Sequence, residues 1–182
     1  MRTGLAIAVL VGIWLSAGAI LLAGSYPNGG LVAGLIAAGL MLVTGLVWLV
    51  LMIIEVAHRR WALAVTLTVT AAALLLGSAV ASRIELPLLA RFAVARPAFE
   101  RVIIERGEAG PGAPCPAWIG SYRISGCRTV GSVTYFTERD GGFLDSVGFA
   151  YLPEGPEAAP PSSTSITYGQ LRGPWYWFVE AW

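Results

Sequence analysis

Three long apolar runs fill the first 81 residues, at 4–24, 31–54 and 61–81. Each is long enough to cross about 30 Å of hydrocarbon as a helix. No Asp, Glu, Lys, Arg or His stands between Thr3 and Ile54. The pattern predicts three transmembrane helices. The first run follows Arg2 and exceeds the 7–15 apolar residues of a signal-peptide core, so it reads as a retained helix. Ser25-Tyr26-Pro27-Asn28-Gly29-Gly30 reads as a turn-rich loop. Residues 55–60 read as a short basic one. Gly30-x-x-x-Gly34, Ala33-x-x-x-Ala37 and Ala73-x-x-x-Gly77 have the spacing of small-residue helix contacts. Thr66 and Thr70 share a face, and their hydroxyls are expected to bond back to their own helix.

After Ser82 the pattern changes. Pro87 and Pro97 suit the first turns of two short helices, at about 87–95 and 97–106, with Gly107 as the stop. Residues 108–116, rich in Gly, Pro and Ala, read as a loop. Strand-like runs follow at 118–123, 131–137, 143–151 and 175–182, with a short addition at 168–171. Asp140-Gly141 predicts a hairpin between the second and third. Residues 153–165 show no periodicity. The fold class expected is a membrane all-α part of three transmembrane helices, residues 1–81. It is followed by a small α+β extracytoplasmic domain with an antiparallel sheet, residues 82–182.

Charge sets the expected orientation. Arg2, Arg59 and Arg60 fall on one side of three alternating spans, and the loop at 25–30 carries no basic residue. The positive-inside rule then places the N-terminus and the 55–60 turn in the cytoplasm of a plasma membrane and residues 82–182 outside. Arg83 and Arg91 lie on the outer side and weaken the bias slightly. Tyr26 and Trp61 suit interfacial positions, while Trp14 and Trp48 lie deeper and suit packing.

Composition narrows the classes of function. Only 13% of residues are charged, against about 25% in a soluble domain. A net charge of +1 offers no basic face for nucleic acid. All twelve basic residues are arginine. They are scattered, which reads as the codon usage of a GC-rich bacterial genome, not as a demand for guanidinium groups. Cys115 and Cys127 both fall in the half expected outside, where an even count suggests a disulfide. Closing so short a loop adds about 3 kcal/mol on the chain-entropy estimate.

No motif carries a reaction. The only histidine, His58, is expected across the membrane from the cysteines, so neither a catalytic His pair nor a metal site is expected outside. No phosphate-binding or dinucleotide fingerprint occurs, and no cofactor is expected. Glu138, Asp140 and Asp145 read as solvated turn residues. Glu55, His58 and Arg59 read as an interfacial charge cluster. The uncharged spans argue against an ion path.

The most unusual outer segment is 173–182. Alternation sends Trp175, Trp177 and Val179 to one face and Tyr176, Phe178, Glu180 and Trp182 to the other. Both faces are aromatic. The strand is therefore either central and buried on both sides, or a partner or membrane contact through Trp175, Tyr176, Trp177, Phe178 and Trp182. The leading expectation is a non-catalytic integral membrane protein displaying a binding domain, as accessory subunit or envelope interaction module. Its partners would be the lipid bilayer and a membrane protein or a second copy. The alternatives are a small oligomeric transporter or channel component and a membrane-anchored envelope hydrolase.

Overall fold

The computed structural model describes residues 2–59, 61–110, 113–142, 145–159 and 164–181. Four helices come first: α1 (Arg2–Ala23), α2 (Leu31–Ala57), α3 (Trp61–Arg83) and α4 (Leu86–Ala109). Two of them contain stretches long and apolar enough to cross a membrane, Val32–Ala57 and Ala64–Arg83. The described apolar stretch of α1, Ile7–Ala23, is shorter.

α1 lies against both other apolar helices. Val9, Ile13 and Ala17 recur every fourth residue and are buried, with Leu51 of α2 beside them. That seam is narrow. Trp14, Leu35, Leu42 and Leu76 stay more than 60% exposed. Of the spaced Gly and Ala patterns, Ala37 is buried, but the glycines Gly34 and Gly77 are not the close contacts. Gly34 and Gly77 face open space, whereas Gly12 meets Thr44 and Gly24 meets Ser82. Thr66 and Thr70 donate to the carbonyls of Ala62 and Thr66, each at 2.9 Å, as expected of threonines in an apolar helix.

The two short helices expected at 87–95 and 97–106 are one helix. α4 runs unbroken through Pro97 and ends at Gly110, whose φ of 85° only glycine adopts easily, and not at Gly107. An interior proline costs about 3 kcal/mol. Continuity offsets it by keeping Leu88, Phe92, Ala95 and Phe99 on one stripe, all buried against the sheet. Each large apolar side chain there contributes roughly 1.5–3 kcal/mol.

The sheet has six antiparallel strands, more than the four or five expected. They are β1 (Trp118–Ile119), β2 (Tyr122–Val130), β3 (Val133–Glu138), β4 (Ser146–Tyr151), β5 (Ser165–Arg172) and β6 (Trp175–Ala181), in the order β1-β2-β3-β4-β6-β5. The run expected at 118–123 is split by a turn at Gly120, with φ of 58°. A Cβ at Gly120 would sit 2.8 Å from that of Ala95, so this turn seats against α4. Gly131-Ser132 is a two-residue hairpin turn and not the start of a strand. The connection containing Asp140-Gly141 is longer than a two-residue hairpin, because β4 begins only at Ser146. Residues 143–144, where that strand was expected to begin, lie outside the described residues, as does Trp182.

The two faces of the sheet have separate cores. Tyr122, Ile124, Phe136, Phe149 and Trp175 meet the buried stripe of α4. Val133, Tyr135, Ala150, Leu152 and Phe178 form the other core, where Ala159 from the aperiodic connection packs alongside them. Phe99 is the hub of the first. Its ring lies 5.2–6.1 Å from those of Phe92, Tyr122, Phe136, Phe149 and Trp175. Phe99→Ala is expected to destabilise the protein by about 3–5 kcal/mol. Denaturant unfolding in detergent measures this, and an unchanged midpoint would contradict the packing.

Candidate functional site at the helix–sheet junction

The loop after α1 turns twice through the left-handed region, at Asn28 (φ 60°) and Gly29 (φ 71°). These turns bring Ser25, Tyr26 and Pro27 against the sheet unit, with Pro27 fully buried. Arg91 of α4 reaches this loop. Its Nη1 donates to Ser25 Oγ at 3.1 Å, its Nε to Ser121 Oγ at 3.0 Å and its Nη2 to the Ser121 carbonyl. Its guanidinium carbon lies 4.4 Å from the ring centre of Tyr26 and 4.1 Å from that of Tyr122. Tyr122 completes the tie by donating to the Ser25 carbonyl at 3.4 Å. One cation thus joins the α1–α2 loop, α4 and the turn before β2. Each ring contact contributes about 0.5–1 kcal/mol where exposed and more where desolvated.

Beside this tie lies a buried acid. Glu138, at the end of β3, is 4% exposed, not the solvated turn residue the pattern suggested. Its Oε2 accepts from the Asp140 amide at 2.8 Å, and Oε1 has no partner among the described residues. Burial pushes its carboxyl up to about 7, and the neighbouring Asp140 adds to the rise. Backbone N–H groups and Arg91 oppose it. Burial also raises the Tyr122 phenol above its ordinary range, with Arg91 again opposing. Asp140 itself stays partly exposed, 3.7 Å from Arg123.

On the other side of the loop a cavity of about 690 Å³ opens between the end of α1, the end of α3 and the start of α4. Trp177 of β6 walls it on the sheet side. The Trp177 indole covers Gly169 of the neighbouring strand, where a Cβ would lie 2.1 Å from the ring. Its N–H donates to Glu85 Oε2 at 2.9 Å. Glu85 holds a left-handed backbone (φ 57°) at the break between α3 and α4, and Arg83 precedes it at the end of α3.

The residues singled out in the sequence fall in several places. Cys115 and Cys127 are disulfide-bonded, with Cα atoms 5.5 Å apart, tying the loop after α4 to β2. Arg59 sits exposed in the α2–α3 turn with φ of 56°. Arg60 and Trp182 lie outside the described residues, as does the side chain of Arg2. Trp175 and Phe178 are buried, one in each core, while Tyr176 and Trp177 are half-buried. Glu55 is buried and does not sit in an exposed cluster with His58 and Arg59. His58 Nδ1 lies 3.0 Å from the Ile54 carbonyl. Among the described residues no three His, Cys, Asp or Glu side chains come together as a metal site would need.

Arg91, Ser25 and Glu85 were not foreseen as a junction. The available signal was isolation, because a lone charge in a mixed apolar stretch must find partners. No protein-family model, curated protein or solved structure matches this chain.

Glu138 gives the junction a pH dependence. Its folded value lies above the ordinary 4.5, so the folded state holds the proton more tightly. The stabilisation is complete below about pH 4.5 and is lost as pH rises through about 7. The loss is at most about 1.4 kcal/mol per unit. Glu138→Gln is expected to remove that slope, read as the difference between the two unfolding profiles. Parallel profiles from pH 4 to 8 would contradict a buried, proton-holding carboxyl.

Proposed function

We propose that this is a non-catalytic integral membrane protein. Helices α1, α2 and α3 serve as three spans, and the sheet unit serves as an extracytoplasmic binding domain. The N-terminus and the α2–α3 turn face the cytoplasm. Three independent features support the reading. The apolar helices leave large side chains uncovered along most of their length. Arginine is concentrated at one end of the proposed bundle and absent from the loop at the other. The cysteines are joined in the half placed where disulfides persist.

The observation that carries the binding role is the Arg91 tie. A domain on a tether would need no such fixing. This one is held to the helix ends at a set orientation by a cation, two hydroxyls and two rings. Fixed orientation suits a subunit that presents one surface to a neighbour in the same membrane. The exposed Trp118 and the edge strand β5 are open on that domain. A transporter or channel finds less support. The groove among α1, α2 and α3, of about 260 Å³, is lined almost wholly by apolar groups.

A photo-crosslinking residue at Trp118 or Gln170, followed by native extraction, tests the role. The expected outcome is one discrete adduct, with a membrane partner or a second copy. A protein that stays monomeric and gives no adduct from either position would contradict it.

A further inference from the structure

The junction cavity has the chemistry of a lipid headgroup site, and the geometry points to a zwitterionic phospholipid of the ethanolamine type as its occupant. This inference rests on the membrane-spanning reading. It adds a ligand to that reading.

Arg83 and Glu85 both line the cavity, and no salt bridge joins them. Among the described residues Arg83 has no carboxylate within ion-pair distance. Glu85 uses Oε2 for the Trp177 indole, which leaves its second oxygen to act as an acceptor. The cavity therefore presents a separated cation and anion. A phosphate beside an ammonium matches that pair. An anionic headgroup satisfies only Arg83 and is repelled by Glu85. Arg91 is unavailable, because its guanidinium is already held by Ser25, Ser121 and two rings. Tyr26 and Trp177 supply aromatic walls of the kind that sit at headgroup level and hold ammonium groups.

Position separates a lipid from a soluble zwitterion. The cavity lies at the ends of α1 and α3, where Gly24 meets Ser82. Within two turns of it along α3, Leu76 and Val80 are each more than half exposed. A head lodged between Arg83 and Glu85 thus has exposed apolar side chains of the same helix end near it for its chains. A free phosphoethanolamine has nothing to place there. The left-handed pair Asn28-Gly29 shapes the loop wall, and the buried Leu88 also lines the cavity.

The test uses the full-length protein reconstituted into vesicles holding equal phosphatidylethanolamine and phosphatidylglycerol. Flotation reports membrane insertion, and native mass spectrometry after gentle extraction reports the retained lipid. The expected result is insertion with one phosphatidylethanolamine retained, favoured up to about fivefold, the size of a partly exposed ion pair. Glu85→Gln keeps an acceptor for Trp177 and removes the charge, so it is expected to shift retention toward phosphatidylglycerol. Arg83→Gln is expected to lower retention of both by up to about fivefold. A reversal of preference toward phosphatidylglycerol, beyond mere loss of preference, cannot come from misfolding. Insertion without headgroup preference, or a preference unmoved by Glu85→Gln, overturns the site while leaving the spans intact. Failure to float overturns the membrane reading and this inference with it.

Discussion

In the proposed reading, helices that bury so little of one another have an apolar solvent around the rest. The α1 seam covers a stripe of small and branched side chains, and the outward faces of α1, α2 and α3 are left mostly as leucine, valine and isoleucine, with Trp14 and Trp61 among them. In water each such side chain forfeits roughly 1.5–3 kcal/mol relative to burial. In lipid that cost vanishes, and only backbone polarity remains to be satisfied. Helices do this internally. Other features follow from the same constraint. Hydroxyls within α3 bond to their own helix. The two connections are short and polar.

The same constraint explains why the junction is built from polar bonds and stacked rings. If the outward faces of the apolar helices are given to lipid, as proposed, burial alone cannot position the element that follows them. A guanidinium between tyrosines solves this, because its hydrogen bonds fix direction and its faces still accept aromatic packing. Gly24 against Ser82 and Gly120 against Ala95 bring the backbones close enough for those bonds to form. The buried Glu138, its carboxyl raised by burial, lies at the neighbouring strand end within reach of the Arg91 charge.

Much of the fold was legible because it depends on short-range pattern. Apolar runs marked the helices. Alternation along 175–181 correctly assigned Trp175 and Phe178 to opposite sides of the sheet, and the two cores follow that assignment. The even cysteine count suggested a disulfide, and Cys115 and Cys127 are bonded. What was not legible depends on tertiary context. Pro97 signals a break, yet packing of Phe92 and Phe99 on one stripe outweighs its local cost. Glu138 follows the grammar of a solvated turn, yet the α1–α2 loop and α4 close over that end of the sheet. Arg91 was counted as a small flaw in a charge asymmetry, while its role depends on Ser25 and Tyr26, more than sixty positions away. No window along the chain holds that information.

The proposed topology is tested most directly by sided thiol labelling in intact cells. Single cysteines would be placed at Arg59, in the α2–α3 turn, and at Ser132, exposed at the tip of the β2–β3 hairpin. A membrane-impermeant maleimide is expected to label position 132 in intact cells and position 59 only after permeabilisation. Labelling of position 59 from outside, with position 132 protected, would contradict the account.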